Sequence, residues 1–320
     1  MNDQISPLNE HGQFAWDASS MSLYLACPRK YQYKILEGWE PTEKSVHLLF
    51  GGWYASALEL FYKLLARNTS RQEALEDTIL WTLGATWMPV YASAQDAKDG
   101  KPIEGKGAPW SSSIAEKTRE TLIRTIIWYI DHFENDPCET YFTLEGKPAV
   151  EYSFKIDIGN GLLYCGHLDR VTMFGDDPFV MDQKTTKNQI TKKYWEGWDT
   201  DYQMTGYTFA GQAIFNIPVK GVIIDAVQIQ VGGSKFERGF TNRTQAHLDE
   251  WLEETHYYAG LARKNFEHAY FPMNRASCGN YGGCEYRSVC AHSPEQRLNW
   301  LRAKFTQKPV EDRWNPLVER

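Results

Sequence analysis

The sequence predicts a mixed α/β fold with a helical N-terminal elaboration. Three observations predict it. Residues 46 to 66 and 113 to 134 place apolar side chains at helical spacing. Residues 148 to 184 read as successive strands broken by a turn. Beyond them the pattern runs helix, strand, helix, which suits a central sheet flanked by helices. The 320 residues, 42% hydrophobic and 23% charged, match a soluble globular chain with enough length for a sizeable core.

The elements follow in order. Residues 19 to 34, SSMSLYLACPRKYQYK, open on serines suited to a helix cap, and Cys27-Pro28 interrupts the helical character. A buried helix is expected from about Gly52 to Arg67, and another over 71 to 88. Residues 95 to 112 are rich in Gly, Lys, Pro and Ser and read as a mobile loop, inside a helical insertion spanning 68 to 147. SIAEKTRETLIRTIIWYIDHFE, 113 to 134, is amphipathic. Strands are expected at 148 to 157, 161 to 174 and 179 to 184, with Gly175-Asp176-Asp177-Pro178 as a turn. Residues 194 to 216 and 243 to 269 read as helices, and 219 to 231 as a strand with a continuous apolar run. GGSKFERGF reads as a charged loop whose Lys235 and Arg238 could meet phosphates, and the segment from Phe271 is loop-rich.

Several classes are disfavoured. No stretch of about 18 apolar residues appears, so no membrane span is expected. The N-terminus lacks a basic and then apolar leader, which makes the cytoplasm the default compartment. A net charge of -7 argues against nonspecific coating of nucleic acid, although Lys184, Lys187, Lys192 and Lys193 form a local basic patch. There is no GxxxxGK[ST] loop and no GxSxG elbow. The eight histidines form no HxxxH or HxH pair, and His167 reads as structural.

One stretch carries chemistry: GHLDRVTMFGDDPFVMDQKTTK, residues 166 to 187. Asp182 and Lys184 are two apart and share a strand face. A hairpin at 175 to 178 brings Asp169 toward Asp182. Two carboxylates held together repel, and a divalent cation relieves this; hard oxygen ligands suit magnesium or manganese. A lysine beside them could orient or help deprotonate a water, or stabilise charge developing on a phosphate. The plain alternative is a solvated hairpin edge with scattered charges.

These residues resemble a known family. Asp169 followed by Asp182-Gln183-Lys184 is similar to the D…(D/E)xK pattern of the PD-(D/E)XK nucleases. GHLDRV and DQKTTK resemble the matching segments of the RecB-like branch, and Gln203…Tyr207 resembles its QxxxY helix motif. GWYASALE, 52 to 59, resembles the G-x-x-x-H-x-x-L-E helix, with Ser56 where the family has histidine and with Leu58 and Glu59 kept. The resemblance implies a single nuclease domain over 1 to 320 with a restriction-endonuclease-like core. It implies metal held by Asp169, Asp182 and the Gln183 carbonyl, and Lys184 acting on the water or the transition state. Gln203 and Tyr207 would position the strand, and Glu59, ahead of Glu151, would add a carboxylate. It further implies an exonuclease acting on single-stranded DNA or DNA ends, with a helicase or recombination protein as a partner. The lost histidine leaves open a DNA-binding module with a degenerate site.

Six cysteines remain: Cys27, Cys138, Cys165, Cys278, Cys284 and Cys290. In a reducing compartment, clustered cysteines more often bind metal than form disulfides. Cys278, Cys284 and Cys290 are spaced C-x5-C-x5-C in a polar, Gly-rich segment. The stretch around Cys27, ACPRKYQYK, resembles the early cysteine segment of RecB-like nucleases that carry an iron–sulfur cluster. That resemblance implies a [4Fe–4S] cluster on Cys27, Cys278, Cys284 and Cys290, with residues 271 to 292 closing onto the N-terminal cysteine. Structural zinc takes the same ligand set and stays open. Cys138 and Cys165 read as structural.

Overall fold

The computed structural model of the protein describes residues 6–42, 45–93, 96 and 100–319. Its centre is a seven-stranded mixed sheet of β1 (Ala15–Trp16), β2 (Cys138–Thr140), β3 (Val150–Gly159), β4 (Leu162–Phe174), β5 (Asp177–Thr186), β6 (Gly221–Ile229) and β7 (Ser234–Asn242). The order is β7-β6-β5-β4-β1, and β2 and β3 also pair with β4. β5 is antiparallel to β4 and parallel to β6. The β4–β5 hairpin turns at Gly175, whose φ of 60° lies in the left-handed region that glycine adopts without penalty.

Helices cover both faces. On one side lie α1 (Ala18–Ala26), α5 (Tyr202–Phe215) and α6 (Gln245–Glu267); on the other lie α2 (Val46–Ala66), α3 (Arg71–Ala85) and α4 (Arg119–His132). Val180, Val222 and Ile224 pack with Met204 and Trp251. Val227 and Ile229 pack with Tyr54, Leu58, Leu122 and Ile126. Each large apolar side chain so buried contributes about 1.5–3 kcal/mol. Gly206 sits where α5 crosses β4 and α6: a Cβ there would lie 2.3 Å from the Tyr164 hydroxyl and 2.8 Å from Trp251.

Side-chain caps set several boundaries. Asp17 caps α1, Ser70 and Glu73 form a capping box on α3, Thr118 caps α4, and Thr244 with His247 caps α6. The helix expected over 113 to 134 therefore starts at Arg119, after Thr118. The helix expected from about Gly52 begins at Val46. The helix expected over 194 to 216 is two, Lys192–Glu196 and α5, because Asp201 starts the second by accepting from the Gln203 and Met204 amides. Of the expected 95 to 112 loop, residues 95 and 97 to 99 lie outside the described residues. Gly107–Pro109 within it pairs with Trp87–Pro89.

The largest correction concerns GGSKFERGF. It is not a loop but the start of edge strand β7, in register with β6. Arg238 does not reach out to solvent. It bonds Asp225 at 3.1 Å and forks onto Asp136 at 2.5 and 3.1 Å. Lys235 pairs with Glu237 on its own strand.

Candidate active site

The pairing of β5 with β4 ends at Met181 and Arg170, one step before Asp182 and Asp169. From there β5 follows β6 through Thr186. The strands splay at this point, and the Asp169 carboxylate enters the gap to accept the Gln183 amide at 3.0 Å. Asp182 is 2% exposed. Lys184 lies 3.3 Å from Gln203 Oε1, and its ammonium is 2.5 Å from Asp182 Oδ2. Gln203 donates to the Tyr207 hydroxyl at 2.9 Å, one helical turn on. The Trp198 ring lies 5.7 Å from the same ammonium. Six of the expected residues thus converge: Asp169, Asp182, Gln183, Lys184, Gln203 and Tyr207.

Glu59 is not brought into this group. It pairs with Lys63 at 2.6 Å, one turn on along α2. Glu151, ranked behind it, stands closer to the chemistry. It lies between Val150, opposite Arg170, and Tyr152, opposite Leu168, so it flanks Asp169. Its negative charge helps raise the Asp169 pKa, and its backbone is held at φ 47°. Among the described residues no three His, Cys, Asp or Glu side chains group closely enough to hold a metal ion. The donor chemistry at the splay is still that of a hard cation: two carboxylates and one backbone carbonyl.

The electrostatics follow from burial and repulsion. The Asp169 carboxyl is pushed up to about 7, first by burial and then by Asp182, against the pull of Lys184 and the Gln183 amide. Asp182 is also raised, again first by burial, with Lys184 opposing. Burial works to lower Lys184, but the charges of Asp182 and Asp169 outweigh it and hold the amine above its ordinary range. Lys184 is therefore an ammonium at neutral pH, fitted to orient water or meet negative charge. Tyr207 is held far above its usual range by burial and by the two carboxylates, and stays a neutral hydroxyl.

A stability consequence follows. An aspartate in the unfolded chain ionises near 3.9. In the folded, metal-free protein Asp169 keeps its proton to about 7. Between those values the folded state binds the extra proton, so stability falls as pH rises, by at most about 1.4 kcal/mol per pH unit. Urea unfolding in EDTA from pH 4.5 to 7.5 is expected to record this decline, and Asp169→Asn to flatten it. An unchanged slope in the variant would contradict the assignment.

Contacts between the cysteine segments lie at the C-terminal end of α1. The Cys27 thiol accepts the Asn274 amide at 3.3 Å, and Cys278 donates to the Asn274 carbonyl at 3.7 Å. The Cys284 amide bonds the Cys278 carbonyl at 3.0 Å, and Cys284 and Cys290 pack against Tyr33, Trp39 and Tyr286. Burial pushes the thiols of both Cys284 and Cys290 up. Asn274 thus links Cys27 to Cys278, but among the described residues the cysteines form no group close enough to hold a metal ion. Cys138 and Cys165 are 3% and 1% exposed and lie apart, in β2 and β4.

Sequence reasoning missed a second charged layer on the opposite sheet face. Arg170 bonds Asp136 at 3.2 Å and lies over the Tyr62 ring at 3.8 Å. Tyr129 donates to Asp225 and bonds Tyr62 at 3.1 Å. The signal was the arginine beside Asp169 in LDRV, whose side chain, on alternating strand geometry, takes the other face.

The family model of the PD-(D/E)XK nuclease superfamily matches residues 15–291. No curated protein matches the sequence. Among solved structures, a candidate exonuclease from Eubacterium rectale aligns with a TM-score of 0.47 at 12% identity, covering 84% of this chain and 87% of the other.

Proposed function

The chain belongs to the PD-(D/E)XK nuclease superfamily and is by that membership a deoxyribonuclease, and we propose that it is a metal-dependent exonuclease of single-stranded DNA or DNA ends. The observation that carries this reading is Lys184, held between Asp182 and Gln203 beside Asp169 at the splay of β4 and β5.

Magnesium or manganese would be held by Asp169, Asp182 and the Gln183 carbonyl, and would supply Lewis-acid stabilisation and a more acidic bound water. The chain's own residues prepare the rest. The Gln183 amide fixes one oxygen of Asp169 and orients the carboxylate. The Lys184 ammonium meets the negative charge that builds on the phosphate oxygens as the water adds. Gln203 sets the position of that ammonium and is itself set by Tyr207. The half-buried Trp198 ring lies 5.7 Å from the Lys184 ammonium and packs edge-on to Tyr194, and an aromatic ring beside the site suits a substrate with unpaired bases, which stack on π-faces.

The test is incubation with end-labelled linear single-stranded DNA, duplex DNA and RNA, in manganese or EDTA. Mononucleotide release from single-stranded DNA in manganese alone supports the reading. Binding without scission under every metal would replace it with the DNA-binding module that Ser56, in place of the family histidine, allows.

Cys27, Cys278, Cys284 and Cys290 are proposed to hold a [4Fe–4S] cluster. The thiolate ligand type suits it and Cys27 and Cys278 share Asn274, although among the described residues no three of these thiols are grouped closely enough to hold a metal ion, so binding would have to draw them together. Such a site would tie the N-terminal helix to the C-terminal segment and couple metal binding to folding. Protein purified without oxygen is expected to absorb broadly near about 400 nm, a band lost in Cys284→Ser. A colourless preparation containing zinc would assign the site to zinc.

A further inference from the structure

We propose that the β3–β4 surface bearing Lys155 and His167 is a track for the phosphate backbone of the DNA strand, and that residues 313 to 319 lie on it as a displaceable strap. The proposal rests on the nuclease reading above.

Lys155 is opposite Cys165, and Ser153 is opposite His167, so Lys155 and His167 share a sheet face one pair apart. His167 precedes Asp169 by two residues, roughly 7 Å along the strand. His167 and Asp169 thus lie on the same strand, with Asp169 at the splay. Lys155 Nζ is 3.2 Å from Glu319 Oε1. The His167 Nε2–H donates to the Val318 carbonyl at 3.2 Å. An ammonium and an imidazole N–H thus face a carboxylate and a carbonyl oxygen. A phosphodiester presents the same acceptor chemistry, with the charge that Glu319 supplies here.

The strap is fixed firmly at one end and weakly at the other. Arg313 donates to the Leu36 carbonyl at 2.8 Å and to the Lys308 carbonyl at 3.3 Å. Trp314 Nε1 donates to Asp17, the α1 cap, at 3.1 Å, and the Asp17 charge is felt at Tyr207 in the active site. The segment therefore runs from the α1 cap to the β3–β4 surface. At its distal end the side chains of Lys155 and Glu319 are 43% and 74% exposed. Exposed pairs of this kind are worth little and are weakened by salt, so a strand with several phosphates can displace them.

The experiment measures binding apart from cleavage. Fluorescence anisotropy of a labelled single-stranded oligonucleotide in EDTA is compared for the full chain, a chain ending at Asp312, and Lys155→Ala in each. The shortened chain is expected to bind about two- to fivefold tighter, the size of one uncovered exposed charge contact. Lys155→Ala is expected to cancel that gain in the shortened chain, to flatten its salt dependence by about 0.7 in log–log slope, and to change the full chain little. Should shortening impair folding, Glu319→Gln and Trp314→Ala in the full chain carry the test, each expected to tighten binding. Unchanged or weaker binding on shortening or loosening, or an equal loss from Lys155→Ala in both lengths, would overturn the proposal. Tighter binding by the shortened chain with no scission in manganese would instead leave the track standing and remove the nuclease reading.

Discussion

Asp182→Ala is expected to slow release of label from single-stranded DNA in manganese by roughly 10³-fold or more, several kcal/mol of lost transition-state stabilisation. The reason is positional. Asp182 is the buried carboxylate that holds the Lys184 ammonium, and it lies beside Asp169 across the opened strands. Its loss removes a cation ligand and frees the amine together. The fold is expected to survive, because Lys184 keeps Gln203 and the charge of Asp169. Removal of the Asp182 charge also lowers the Asp169 pKa, so the variant's stability in EDTA should vary less between pH 5 and 7. Lys184→Ala separates the two roles: it should lower the rate while leaving manganese affinity near that of the parent. Scission by Asp182→Ala at the parental rate would remove the site from consideration.

Arg238→Ala is expected to destabilise the protein by about 3–5 kcal/mol, the range for removing one partner of a buried ion pair. Asp136 and Asp225 would lose the fork that joins them, leaving Arg170 as the nearby cation for Asp136. Burial and the carboxylate charges act on Arg238 in opposite directions, and the carboxylates prevail, holding it above its usual range. Arg238→Lys keeps the charge without the fork and should fall between the parent and alanine. Lys235→Ala, on the exposed side of β7, should stay within about 0.5 kcal/mol. Urea midpoints measure all three. The salt slope of DNA binding gives a second reading. An Arg238 that contacted phosphate would flatten it, whereas the observed internal pairing predicts no change in folded protein.

The contrast between these variants marks what the sequence makes legible. Asp169, Asp182 and Lys184 could be read because strand periodicity and a glycine turn are local signals, and two short segments contain the whole pattern. Gln203 and Tyr207 were legible for the same reason, one helical turn apart. Arg238 was not. Its partner Asp136 is 102 residues away, and nothing within SKFERGFTN announces that its charge would be neutralised from another element. A strand so polar reads as loop, because the usual depletion of charge in strands assumes that no partner is at hand. Glu59 failed differently: its spacing from Ser56 was right for one helix face, but Lys63 four residues on captures it. Glu151 was undervalued because its approach to Asp169 depends on β3–β4 register, which a single sequence does not fix. A cysteine site was expected from residue type and resemblance alone, and the contacts of Asn274 with Cys27 and Cys278 emerge only from packing.

The central claim is that Asp169 and Asp182 share one divalent cation. Manganese binding followed by electron paramagnetic resonance, on the parent, Asp169→Asn and Asp182→Asn without DNA, tests it most directly. Loss of the same high-affinity ion in both variants is the predicted result. Parental manganese binding in either variant, with the protein folded, would contradict it.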